Sequence, residues 1–204
     1  MQFEPGDRRR RLPRHLRQPE PEPDVFAYTI RPATARDLPD VREIYNHYVS
    51  NSVVTFDDKG SSHRYWREKF ATLSKLGLPF LVAVAPSGNV IGYALVSPWQ
   101  GKNSYRYTVE DSIYLGPGAG GKGLGTALLQ ALIDACEAIG LREIMAVISD
   151  SSAEASIRLH RRLGFVEVGR MGRVGYKFGR SIGSVYLQRK LRPRGRRWGS
   201  RSPR

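Results

Sequence analysis

The sequence predicts an α+β fold: a mixed, mostly antiparallel sheet flanked by helices, with one parallel strand pair inside it. Three observations predict it. Three apolar, β-rich runs, "PFLVAVA", "NVIGYALVS" and "YTVEDSIYL", follow one another with no helical pattern between them, which favours antiparallel pairing. A single strand–helix–strand unit surrounds a glycine-rich loop, which favours one parallel pair. The whole order reads β, α, α, three β, α, β, α, two β, and this lacks the repeated alternation of a doubly wound sheet.

The elements follow in order. "FAYTIRPAT" opens as a strand. Leu38, Val41, Ile44, Tyr45 and Tyr48 recur at helical spacing, with Asp37 as the cap. "SHRYWREKFATLSKLG" reads as a second helix closed by Gly77. "PSGN" joins two strands as a hairpin, and "YTVEDSIYL" adds a third. The next helix has an apolar stripe of Leu124, Leu128, Ala131, Ala135 and Ile139. Its polar stripe is Thr126, Gln130, Asp134 and Glu137. "EIMAVIS" is a strand, and "SSAEASIRLHRRLGF" a helix with a Ser151/Glu154 capping box and Gly164 at its end. "FVEVGRM" and "GSVYLQRKL" close the fold as strands.

The 204 residues, 40% hydrophobic, fit one domain over 26–191. Residues 1–25 form an Arg/Pro-rich arm and 192–204 an Arg-rich tail, both read as disordered. Net charge is +14, and residues 189–204 carry +8 of it. Such a tail is either a solvated segment or a nonspecific nucleic-acid contact; Trp198 alone is there to stack. One cysteine, Cys136, excludes an internal disulfide and fits a reducing compartment. No apolar run reaches the roughly 18 residues of a membrane span. No signal peptide is expected, so the cytoplasm is the expected location.

Six glycines fall within Gly116–Gly125, between a strand and a helix. Gly116, Gly121 and Lys122 fit a nucleotide-triphosphate loop, but the next residue is Gly123, which has no hydroxyl for magnesium. Gly118, Gly120 and Gly123 fit a dinucleotide fingerprint, but its acidic partner would be Asp150, which comes late. The later glycines, "GKGLGTALL", favour a third reading. The N–H groups from Gly121 to Thr126, including those of Lys122, Gly123, Leu124 and Gly125, open a helix and attract a pyrophosphate.

Here the sequence resembles the GNAT superfamily of acyl-CoA-dependent N-acetyltransferases. "IRPAT", "YTVEDSIYL", "GKGLGTALLQALID", "SIRLHRRLGF" and "EVGRMGRVGYKFGR" are similar to the phosphinothricin and methionine sulfoximine acetyltransferase branch. The resemblance implies the GNAT fold, with its parallel pair at the cofactor site. It implies acetyl-CoA as co-substrate, a small amino-acid-like amine as acceptor and direct attack on the thioester. Glu110, in "TVE", is then the general base. Ile113, Tyr114 and Leu115 lie along pantetheine, with the Leu115 N–H on the thioester oxygen. His160 stands where many of these enzymes carry a tyrosine that protonates the thiolate; a core-edge histidine is the competing reading. Ser152 or Ala153 stands at a cofactor-side asparagine, with Ser152 taken as the cofactor contact, Gly120 at a long polar residue that reaches the pyrophosphate, and Phe56 at a substrate-pocket aromatic. Ser181 and Gly183 replace a usual Trp and Asp.

From the residues themselves, Arg106 sits four before Glu110 on one strand face and could hold a substrate carboxylate. No cluster has metal-ligand spacing, so no metal is expected. A homodimer is left open. Two rival functions also stay open: an acyl-CoA-binding module tethered to nucleic acid, and a protein or peptide acetyltransferase.

Overall fold

The computed structural model describes residues 26–193. The arm, Trp198 and nearly all of the tail lie outside the described residues, and with them the nucleic-acid contact expected there.

The elements are β1 (Thr29–Pro32), α1 (Leu38–Asn51), α2 (His63–Lys75), β2 (Phe80–Val84), β3 (Val90–Pro98), β4 (Thr108–Leu115), α3 (Leu124–Ala138), β5 (Glu143–Ser149), α4 (Glu154–Arg162), β6 (Val166–Lys177) and β7 (Arg180–Lys190). They form the mixed α+β fold that the sequence predicts. The seven-stranded sheet has the order β1-β2-β3-β4-β5-β7-β6. Every neighbouring pair is antiparallel except β4 with β5.

Alternation along the central strands divides the core in two. One face of the sheet packs α3, through Leu128, Leu129, Leu132, Ile133 and Cys136. The other packs α1 and α2, where Val41, Tyr45 and Trp66 meet Val82, Tyr93 and Leu95. Leu191 closes the first layer, and the Arg192 N–H donates to Glu137 Oε1 at 3.1 Å.

Local details depart from the sequence reading in four places. The buried face of α3 is turned from the expected stripe: Ile139 is exposed and Glu137 buried. Glu137 is drawn in because it accepts the Arg192 backbone N–H, a partner far away in sequence. The Ser151/Glu154 box does not form; Ala153 occupies the cap position, and the Ser151 hydroxyl donates to Asp150. Asp37 does not cap α1 with its side chain. The two closing strands run on through "GRVGYK" and "RSI" into one long hairpin, turned at Phe178 and Gly179, both at positive φ.

Asp37 is a junction instead. Its carboxylate accepts two bonds of 2.7 Å from the Arg31 guanidinium and one each from the N–H and hydroxyl of Thr34. This locks the end of β1 to the start of α1. The guanidinium bonds hold the carboxyl at about 2, against an opposing push from burial. A depressed carboxyl stabilises the fold above its ordinary range and loses that contribution as pH falls through the folded value. Asp37→Ala should therefore cost about 2 kcal/mol in urea unfolding near neutral pH. The difference from the parent should shrink as pH drops from about 4 towards 2.

Candidate active site

The site begins where the parallel ladder stops. β4 and β5 pair from Thr108↔Glu143 to Glu110↔Met145 and no further. On its other side β4 stays paired with β3 out to Leu115↔Gly92. From Asp111 onward, the edge of β4 facing β5 has no strand partner. A cleft of about 960 Å³ opens there, walled by Asp111–Leu115 on one side and Ala146–Ile148 on the other. Alternate residues of β4 turn their backbone groups toward this gap, ready to pair with an extended ligand.

The glycine loop closes one end. Gly121 and Gly123 sit at φ 77° and 80°, a left-handed backbone that side chains strain. Gly123 is the N-cap of α3, so the first N–H groups of that helix have no intrahelical partner. Gly120, Gly121, Gly123, Gly125 and Thr126 line the cleft. A Cβ on Gly125 would meet Leu159 at 3.3 Å, so α3 and α4 come together at this point. Ser152, at φ 60°, lines the cleft from the start of α4. Leu124 is wholly buried, and its side chain belongs to the core. Lys122 turns away: its Nζ lies 4.5 Å from the Phe26 ring centroid, outside the cleft wall.

Glu110 stands at the divergence, half-buried, in the cleft wall. Burial first and then the Asp111 charge push its carboxyl up, while Lys69 on α2 pulls it down. Arg106 is not beside it. A short 3-10 turn, Asn103–Tyr105, precedes the strand, and Arg106 caps that turn. Its guanidinium stacks on Tyr107 at 4.7 Å and donates to the Asn103 carbonyl. Strand alternation does not extend back across a turn, so the shared-face expectation fails.

His160 faces the cleft floor but is 2% exposed. Its Nε2 lies 2.9 Å from Asp111 Oδ2, and its Nδ1 lies 2.8 Å from the Ser156 carbonyl oxygen. Both ring nitrogens thus meet acceptors, as an imidazolium requires. Burial pushes the ring pKa down; the Asp111 charge and both hydrogen bonds outweigh it, and the net direction is up. Its protons are committed, so the geometry favours the core-edge reading over an open proton donor.

The wide end is aromatic. Phe56 lines it, 40% exposed, and leans on Gly175, where an added Cβ would come within 2.7 Å of the ring. Tyr114 stacks on Tyr93 at 5.5 Å and meets Tyr45 edge-on at 5.4 Å. The Tyr45 hydroxyl bonds Thr55 and Asp57. Tyr48 donates to the Leu115 carbonyl at 2.8 Å, tying α1 to the end of β4. Lys177, buried on β6, donates to the Thr55 carbonyl and anchors the loop that carries Phe56. The sequence reading missed Tyr45, Tyr48, Thr55, Asp57, Lys69, Tyr93 and Asp111 as wall or site residues. One signal was available: tyrosines on the apolar face of a helix bring hydroxyls into a core.

A split parallel pair leaves an open strand edge, and a glycine-capped helix closes one end of the cleft beside it. The chain also matches the description "Acetyltransferase (GNAT) family" over residues 40–165. The chain belongs to the GNAT acetyltransferase family. It is 39% identical to a phosphinothricin N-acetyltransferase of Alcaligenes faecalis, over 81% of this chain and 83% of that one. It is 41% identical to an L-methionine sulfoximine/L-methionine sulfone acetyltransferase of Pseudomonas aeruginosa, over 81% and 95%. Among solved structures, a Sinorhizobium meliloti phosphinothricin acetyltransferase in complex with acetyl-CoA superposes with a TM-score of 0.77. That protein is 43% identical, over 80% of this chain and 88% of its own. This GNAT enzyme is therefore an N-acetyltransferase.

The Asp111–His160 pair yields a stability prediction. Removing one member of a buried pair strands the other, so His160→Ala should cost about 3–5 kcal/mol. The Asp111→Ala, His160→Ala double variant should cost less than the two single changes added together. A raised histidine stabilises fully below its unfolded pKa, and that contribution fades as pH rises through the folded value. Urea unfolding across pH 5–9 measures both effects.

Proposed function

We propose that this enzyme transfers the acetyl group of acetyl-CoA to the amino group of a small amino-acid-like acceptor of the phosphinothricin and methionine sulfoximine type. The observation that carries the reading is Glu110, half-buried at the point where β4 leaves β5, between the open strand edge and the aromatic end. The donor's pantetheine lies along Ile113–Leu115, and its pyrophosphate meets the N–H groups at the start of α3. The aromatic end, closed by Phe56 and the tyrosines, takes the acceptor.

The chemistry follows from that placement. Glu110 removes a proton from the ammonium, directly or through a water. The free amine attacks the thioester carbon, and the developing oxyanion meets the Leu115 N–H. The carbon–sulfur bond breaks, and the thiolate takes up the second proton that the attacking nitrogen sheds, so that the neutral thiol leaves. His160 acts here as a positioning residue: it ties α4 to β4 under the reacting groups and keeps Asp111 paired. Lys69 takes the role first expected of Arg106. It lines the same cleft, acts electrostatically on Glu110, and has no acidic partner within ion-pair distance among the described residues. Its Nζ rests about equally far from the Tyr65 and Trp66 rings, at 5.7 and 5.8 Å, where an acceptor carboxylate can reach it.

Methionine sulfoximine turnover with acetyl-CoA tests the function, and its absence at millimolar acceptor would remove this substrate class. Glu110→Gln should lower kcat by about 10²–10⁴-fold while acetyl-CoA affinity holds. A fully active variant would take Glu110 out of the mechanism. The raised carboxyl should put the acidic limb of kcat/KM above the ordinary carboxylate range. Lys69→Met removes the charge that lowers it, so that limb should move to higher pH and acceptor KM should rise.

A further inference from the structure

We infer that Arg158 and Arg162 on α4 are the cations that hold the pyrophosphate of the acyl donor. The inference rests on acetyl-CoA being that donor. A pyrophosphate carries about two negative charges and a helix terminus supplies only about half a positive one, so a nearby cation strengthens its binding. The glycine loop presents no cation to the cleft. Gly120 has no side chain, and open space surrounds the position its Cβ would take. Lys122, the loop's own cation, lies over the Phe26 ring and outside the cleft wall.

The charge comes from across the cleft. Arg158 and Arg162 both line it, one helical turn apart on the same face of α4. Leu159, between them in sequence, is the residue that a Cβ added at Gly125 would meet at 3.3 Å, so this part of α4 lies close to Gly125. That closeness sets the arginine face beside the first turn of α3, where the free N–H groups are. Neither arginine makes an ion pair among the described residues. Arg161, between them on the helix, differs: its guanidinium is 2.6 Å from Glu167, and it does not line the cleft. The helix therefore sets two arginines in the cleft wall and pairs a third with Glu167 at the surface. Planar guanidinium forks match phosphate oxygens bidentately.

The test is calorimetry at fixed ionic strength with coenzyme A, dephospho-coenzyme A and pantetheine. The proteins are the parent chain, Arg158→Gln/Arg162→Gln, and Arg161→Gln as a control with a single lost charge on the same helix. Both arginines are exposed, so the double variant should fold as the parent does. Coenzyme A affinity should fall about 10–100-fold in the double variant, less at high salt, and by under about twofold in the control. Dephospho-coenzyme A should lose the same factor, and pantetheine none. A loss seen with coenzyme A alone would place the arginines on the ribose 3′-phosphate and overturn the pyrophosphate assignment. Equal coenzyme A affinity in parent and double variant would overturn the inference altogether. A parent that binds no coenzyme A would instead sink the donor reading.

Discussion

The parting of β4 from β5 after Glu110 is the constraint on which the rest of the structure depends. A sheet normally pairs every backbone group of its interior strands, and an unpaired buried group costs about 1–3 kcal/mol. Here the interior of a seven-stranded sheet gives up its ladder along Asp111–Leu115. The neighbouring elements hold that opening from both sides. β3 keeps β4 straight, β7 keeps β5 straight, and α3 fills the space beneath. An extended ligand laid against the open edge would pair those groups and recover the cost.

Two other arrangements serve the same opening. The Asp111–His160 pair lies under it, and links α4 to the strand that has lost its neighbour. Tyr48 reaches from α1 to the Leu115 carbonyl and fixes the far end. Between them the position of β4 is set without help from β5. Charge is distributed along the cleft with the same economy. Burial and the Asp111 charge push the Glu110 carboxyl up where β4 parts from β5, and Lys69, Arg158 and Arg162 line the same cleft.

The hairpin of β6 and β7 shapes the aromatic end of the cleft. Gly175 leaves room for the Phe56 ring, and Lys177 binds the loop on which that ring sits. Gly183 is packed as tightly: an added Cβ would lie 2.4 Å from Asp150 Oδ2 and 2.5 Å from the Met171 carbonyl. Asp150 holds the Gly183 N–H at 2.8 Å. Asp150, the late acidic residue of the dinucleotide fingerprint, is therefore engaged in hairpin geometry. The same contact explains why glycine, and no larger side chain, fits at 183.

The sequence by itself determined the elements and their order. Period-two runs, a helical stripe and turn residues are local signals, and local energies decide them. It also marked the glycine loop, because glycine takes the left-handed backbone at Gly121 and Gly123 without the strain a side chain would add. Glu110 was singled out by the motif around it, and it lies in the cleft wall. Arg106 misled, since four residues of separation imply a shared face only if the strand is continuous, and a 3-10 turn intervenes. Asp111, Lys69, Tyr48 and the arginines of α4 were not legible as site residues. Each owes its place to a partner or wall 49 or more residues away, as with His160 and Asp111 or Tyr48 and Leu115, or to which face of a helix the packing turns inward. Tertiary structure alone decided those, because burial, charge proximity and the end of a strand ladder are properties of pairs of segments and are written in neither segment alone.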